Sequence, residues 1–147
     1  MPDRAEAARL AIVAALEAIV DLVVRNRLEF SDFASPGQIS ADIEDGTPQR
    51  DGEMMPDVRL WRLDMMIAVA AHERTMTESR AALSGALTAI ETALLADPTL
   101  GGVVDTLRVE AAGDTDETVR MGADEVAAKV LPVRVFYRTG GAANAAV

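Results

Sequence analysis

The sequence predicts an α+β fold, a mostly antiparallel four-stranded sheet with two main helices packed on one face. Three observations carry this. Two apolar stripes recur at helical spacing: Ile12, Leu16, Ile19 and Val23, then Leu83, Leu87, Ile90 and Leu94. Other stretches alternate with period two, most clearly from Trp61 to Ala71. Between these patterns, the stretch 94–104, LLADPTLGGVV, holds a stop, one turn and a glycine pair in that order.

The first stripe predicts a helix over residues 4–24, widened by Val13, Val20 and Val24. Residues 25–37, RNRLEFSDFASPG, lose the period and read as a connection. QISADIE (38–44) places Ile39, Ala41 and Ile43 on one face of a short strand. DGTPQRDGEMMPD (45–57) has two Asp-Gly pairs and two prolines, so an exposed acidic loop is expected.

Residues 58–71 form the clearest strand. Trp61, Leu63, Met65, Ile67, Val69 and Ala71 share one face, whereas Arg62, Asp64, Met66, Ala68 and Ala70 share the other. The second face turns small and apolar at its far end, so cover over part of its length is expected there. Thr75-x-x-Glu78 is a capping-box pattern that opens a second helix at about 77–96.

Pro98 disfavours helical geometry at Asp97 and ends that helix. Asp97 then caps a single turn, with Pro98 in its first position. Gly101 or Gly102 supplies a positive-φ exit into a strand over 103–110. Residues 111–123 read as a loop or a ragged hairpin end. The closing strand spans 126–138, with Leu131, Val133, Val135 and Tyr137 on one face. Pro132 cannot donate to a ladder and marks an edge or a bulge. A single domain over 1–139 and a flexible tail over 140–147 follow.

The chain has 147 residues and a formal net charge of −10. Phosphate binding needs clustered Lys and Arg, so the overall charge argues against a nucleic-acid partner. Anionic membranes are disfavoured for the same reason, and no apolar run reaches the roughly 20 residues that span a bilayer. The N-terminal sequence has no signal-peptide pattern, so a protein made in the cytoplasm is expected. With no cysteine there is neither a disulfide nor a thiolate site.

Motifs for chemistry are few. His72-Glu73 begins like a zinc-binding H-E-x-x-H, but Met76 stands at the second His and the chain has only one His. The acids around 42–57 do not follow calcium-loop spacing. The Asp-x-Asp of GDTDE (113–117) reads as a turn. Gly101-Gly102 follows a helix and precedes a strand, the reverse of a phosphate-binding loop. Neither a catalytic residue, a metal site nor a cofactor site is expected. Met54 and Met55 are conspicuous in an acidic stretch, where adaptable apolar side chains suit a contact surface.

Five segments together resemble the phage tail terminators, also called tail-completion or minor tail proteins, found in siphophages and gene transfer agents. They are ALEAIVDLVVRNR (15–27), GQISADIEDGTP (37–48), LWRLDMMIAVAAH (60–72), ALLADPTLGGVVDTLRVE (93–110) and VLPVRVFYRTG (130–140). The resemblance covers most of the chain, and the DPTLGG turn with the closing YRT is its most distinctive part.

The resemblance implies a structural virion protein rather than an enzyme. Such proteins form a six-membered ring that caps the tail tube, stops its polymerisation and offers a head-side joining surface. The partners implied are other copies of the chain, the tail-tube protein and the head–tail connector, with DNA only as passing cargo. The implied location is the tail neck of a virion or phage-like particle assembled in the host cytoplasm. A head-to-tail ring uses two different patches per subunit. The candidate contact residues are Arg50, Met54, Met55 and Arg120 in the two polar stretches, with Arg62, Arg134 and Arg138 as partners for a neighbour's acids. Another neck component, or a small α+β ligand-binding domain of cellular origin, are the alternatives.

Overall fold

In a computed structural model, residues 3–26, 37–55, 58–110, 117–121 and 124–139 are described. The chain is α+β. Its elements are α1 (Arg4–Glu17), β1 (Leu22–Arg25), β2 (Ile39–Glu44), β3 (Pro48–Met55), β4 (Val58–Ala71), α2 (Met76–Ala96), β5 (Thr106–Val109), β6 (Glu117–Met121) and β7 (Asp124–Thr139).

The sheet has seven strands among the described residues, not the expected four. Its spine is the antiparallel pair β4 and β7, in unbroken register from Arg59 opposite Thr139 to Ala71 opposite Ala127. On the outer edge of β4, β2 pairs with residues 66–71 and β3 with residues 58–63. On the outer edge of β7, β6 pairs with 124–128 and β5 with 133–136. β1 adds to β2 in parallel, which makes the sheet mixed.

Two differences from the sequence reading have physical causes. The first helix stops at Glu17, capped by Ala18, and 22–25 is a strand. The β-branched Val23 and Val24 suit a pleated surface, and Asp21 turns them onto β2, its N–H donating to the Ile39 carbonyl and its carboxylate accepting from the Ile39 N–H. The helical stripe of Ile12 and Leu16 thus runs in sequence into a strand, and the described part of the 15–27 segment, 15–26, is helix, turn and strand. The 45–57 stretch is not a loop throughout, because 48–55 is β3. Strand-poor residues such as Gly52 and Asp51 are held there by β4, at the cost of register shifts between Arg50 and Gly52 and between Glu53 and Met55. In the 111–123 stretch, read as a loop or a ragged hairpin end, 117–121 is β6, in register with 124–128 of the closing strand. Residues 27–36, the GDTDE turn up to Asp116, and the 140–147 tail lie outside the described residues.

β2 and β3 run along one edge of β4 as a single bent strand. The bend is at Gly46, with φ +66°, where an added Cβ would lie 2.0 Å from the Asp64 carbonyl oxygen. Only a residue without a side chain lets the two backbones approach this closely.

The capping features follow their sequence signals. Thr75 Oγ1 accepts from the Glu78 N–H at 3.1 Å, and Asp3 Oδ1 accepts from the Glu6 N–H at 2.8 Å. At the end of α2, Asp97 Oδ1 accepts from the Gly101 N–H at 3.1 Å, and the Asp97 carbonyl accepts from the Leu100 N–H. Gly101 and Gly102 both take positive φ, 71° and 92°, and Leu100 joins them at 50°. A leucine in that region is strained by about 1–3 kcal/mol. Leu100 is buried in the core, and burying such a side chain contributes about 1.5–3 kcal/mol, which offsets the strain.

Both helices pack on one face of the sheet. Their buried residues Ile12, Leu16, Leu83, Ile90 and Leu94 form one core with Leu63, Met65, Ile67, Val69, Leu131, Val133 and Val135. Among the described residues, the opposite face is covered towards one end, where Ala70 and Val126 are buried together, as the small residues at the end of β4 suggested. Pro132 points its nitrogen and its carbonyl to the β5 and β6 side of β7, in the interval between those strands. The Glu110 N–H donates to the Pro132 carbonyl there, so no ladder bond needs the missing proline N–H.

Two glycines make opposite predictions. Gly46→Ala should destabilise the fold by about 2 kcal/mol or more in denaturant titrations, from the clash and the positive φ. Gly85 is mid-helix in α2, and an added Cβ there meets nothing within 4 Å. Gly85→Ala should therefore stabilise by about 0.4–1 kcal/mol in the same titration.

Candidate interaction surface

The uncovered half of the outer sheet face is built by register. Asp64 of β4 lies opposite Arg134 of β7, which lies opposite Arg108 of β5. The neighbouring rung is Gln49, Arg62, Phe136 and Thr106, and the one on the other side is Met66 and Pro132. Period-two alternation sends all these side chains to the face away from the helices.

The charges here are orderly. Arg134 Nε donates to Asp64 Oδ1 at 2.7 Å, and Arg62 lies 3.4 Å from the same oxygen while donating to Gln49 Oε1 at 2.6 Å. Arg138 makes two bonds to the Asp105 carboxylate, at 2.9 and 3.2 Å. Arg108 is exposed, with its guanidinium 5.9 Å from the Phe136 ring centroid, a cation–π contact. Four arginines stand here with four acids, Asp64 and Asp105 in ion pairs, Glu44 opposite Met66 and Glu110 beside Pro132, so the patch is densely charged on a chain of net charge −10. Beside it Met66 is 43% and Val130 37% exposed. A groove of about 210 Å³ joins the charged and apolar parts, lined by Asp64, Met66, Glu110, Pro132 and Arg134 among others.

A second concavity, about 240 Å³, lies at the start of α1 on the helix side, lined by Asp3, Arg4, Pro48, Trp61, Tyr137 and Thr139. Trp61 Nε1 donates to Thr139 Oγ1 at 2.7 Å, which fixes the indole. Burial raises the Tyr137 phenol above its ordinary value, and the Asp3 carboxylate raises it further.

The candidate residues therefore divide. Arg62, Arg134 and Arg138 come together on the outer face, where Arg62 and Arg134 share Asp64 and Arg138 takes Asp105. Arg50 is opposite Trp61, and Met55 opposite Val58, so they belong to the β3–β4 arm at one end of the sheet. Met54 stands at the second register shift of that arm. Arg120 is in β6 opposite Glu125, at the other end. Asp97, Pro98, Gly101 and Gly102 form the α2–β5 turn. Arg108, Phe136, Met66 and Val130 complete the patch. Their signal was parity: each sits on the non-core side of its strand.

Away from the patch, Arg25 locks β1 to α1 and to the β2–β3 bend. It makes paired bonds to Glu6, both 3.0 Å, and to Asp45, at 3.1 and 2.8 Å. Arg9 donates to the Asp45 and Gly46 carbonyls, each at 3.1 Å. The Arg25 hydrogen bonds hold the Glu6 carboxyl below its usual range and outweigh its partial desolvation. Desolvation would raise Asp45, but hydrogen bonds from Asn26 and Arg25 outweigh it and the carboxyl is also lowered. The arginine is held correspondingly more basic, first by Glu6 and then by Asp45.

Among the described residues no group of three or more His, Cys, Asp or Glu is placed to hold a metal ion, and no helix is long and apolar enough to cross a membrane. No protein-family model matches the chain, and no curated protein matches it.

The corner titrates with a definite sign. Glu6 and Asp45 have lowered values in the fold, so their contribution is complete at neutral pH and is lost as pH falls through those lowered values. Arg25→Gln should melt at a lower temperature than the parent chain at pH 7. Thermal melts in an acid series should show that gap closing as pH falls below the ordinary carboxylate range and both groups become protonated.

Proposed function

We propose that this chain is a structural virion protein of the tail-terminator kind, which joins copies of itself in a ring that caps a tail tube and presents a head-side surface. The observation that carries the reading is the half-uncovered outer sheet face, with its arginines and its exposed Met66 and Val130. A ring subunit needs a lateral surface separate from its core, and a mixed apolar and charged patch has the composition of one. The sequence resemblance supports the class. Its most distinctive segment, residues 93–110, forms the end of α2, the Asp97 turn and β5, a compact reversal from helix to sheet.

Another neck component would use the same kind of surface, and the partner distinguishes the two: tube protein for a terminator, portal-side ring for a connector. The ligand-binding alternative has less support, because the concavity at Trp61 and Tyr137, about 240 Å³, falls below the roughly 300–1,000 Å³ of small-molecule pockets.

Light scattering across a concentration series, with and without purified tail-tube protein, tests the reading. The expected result is a subunit that becomes a hexameric ring or caps tube ends when tubes are added. A monomer or dimer that ignores tubes would remove the terminator reading.

A further inference from the structure

The helix layer turns an almost uncharged side outward. On α2 the exposed residues Ala81, Gly85 and Ala89 stand four apart in one row, and Ser84, Thr88 and Thr92 form the next. Leu95 lies at the end of this face and is 52% exposed, and on α1 Leu10 is 46% exposed, one turn before the exposed Ala14. A helix on the surface of a soluble chain ordinarily carries charged residues on the side away from the core.

Two charges flank the α2 rows, Arg80 and Glu91, both exposed. Eleven residues make close to three full turns, so the two share a flank, about 16 Å apart along the axis. That is too far for them to pair, and no charged residue stands three or four places from either. They lie at equal distances from a point beside Gly85. An antiparallel copy, turned about a twofold axis at that point, keeps the same flank of both helices on one side. It sets Arg80 of each copy against Glu91 of the other, so the charges are self-complementary. The other charges do not oppose this. Glu78 is 3.8 Å from Arg74 near the start of α2, its counterpart across the axis is Ala93, and Glu17 closes α1.

Gly85 sits at the crossing. An added Cβ there meets nothing within 4 Å, so the space above it is open to another backbone. A row of small residues four apart is the ridge that packs into a facing helix, and its small size permits a short interaxial distance. Two helices side by side, with α2 at 21 residues, present roughly 20 by 30 Å. About 1,200 Å² would be buried over both copies, the lower limit for a stable interface, so the dimer should be weak and reversible.

We propose that the helix layer is a twofold interface between copies of this chain, with α2 antiparallel on α2, crossing at Gly85 and paired through Arg80 and Glu91. This goes beyond the ring reading. The contact closes at two copies, and it leaves the outer sheet face free for other neighbours.

Charge reversal tests it. Arg80→Glu and Glu91→Arg are exposed changes and should leave the melting temperature close to the parent value. Gly85→Lys puts bulk and like charge at the axis while removing a mid-helix glycine, so it should melt no lower than the parent. Circular dichroism and thermal melts identify folded variants before sedimentation equilibrium.

The expected result is a concentration-dependent dimer of the parent chain, with about a tenfold loss or more in each reversal and in Gly85→Lys. An equimolar mixture of the two reversals should recover the dimer, because each contact then joins an acid of one variant to an arginine of the other. A parent that stays monomeric, folded variants that dimerise as well as the parent, or a mixture that does not recover would overturn the interface. Cosedimentation of the parent with phosphatidylcholine vesicles in place of dimerisation would overturn it too. Tube capping is scored separately. A parent that caps tubes but never forms this dimer keeps the terminator reading and loses the interface. A dimer broken by the reversals in a chain that ignores tubes does the reverse.

Discussion

The fold depends on the β4–β7 pair. Two strands in unbroken register over thirteen residue pairs provide a ribbon from which everything else hangs. The inward residues of the ribbon, among them Leu63, Met65, Ile67, Leu131, Val133 and Val135, are the floor on which both helices sit. Each outer edge of the ribbon is long enough for two shorter strands end to end, so β2 and β3 share one edge and β5 and β6 the other. The outward residues of the same ribbon bring Arg62, Asp64, Met66, Pro132, Arg134 and Phe136 together. One register thus decides both the core and the candidate surface, because side chains alternate strictly between the two faces.

Much of this was legible where the signals are local. β4 was readable from its alternation, α2 from its 4, 3, 4 spacing and the Thr75 cap, and the α2–β5 reversal from Asp97, Pro98 and the glycine pair. Each of those features is decided within a few residues. β1 was not readable, since Ile19 and Val23 continue the helical stripe and the parallel pairing with β2 is made across the chain. β3 was hidden by its Asp, Gly and Pro content, which favours a loop until a long partner strand overrides it. The size of the sheet depended on both and on β6, so four strands were expected where seven form.

The candidate surface shows the same division. Arg62, Arg134 and Arg138 could be singled out because they stand opposite the core residues of their own strands. That they converge with Arg108 and Phe136 is a matter of strand order, and strand order is absent from any single strand's pattern. The ion pairs follow from that order too: Asp64 and Arg134 are seventy residues apart in sequence and meet only because β4 and β7 are neighbours. The Arg25 corner is similar, joining a helix, a strand and a bend through one guanidinium.

The bend at Gly46 has a bearing on how this chain tolerates changes of length. β2 sends its even-numbered residues to the outer face, and Asp42 stands there opposite Ala68. Past the bend the parity is reversed: Gln49 is outward with Arg62, and Arg50 shares the inner side with Trp61. The extra residue in 45–47 is therefore a phase inverter between two halves of one strand. Loss of that one residue would remove the inverter and let β2 run straight into β3, with Gln49 still outward beside Arg62 and Arg50 still inward beside Trp61. Loss of two would leave the strand one residue short and turn β3 over, driving Gln49 towards the core side and Arg50 outward. The bend should accordingly tolerate loss of one residue better than loss of two.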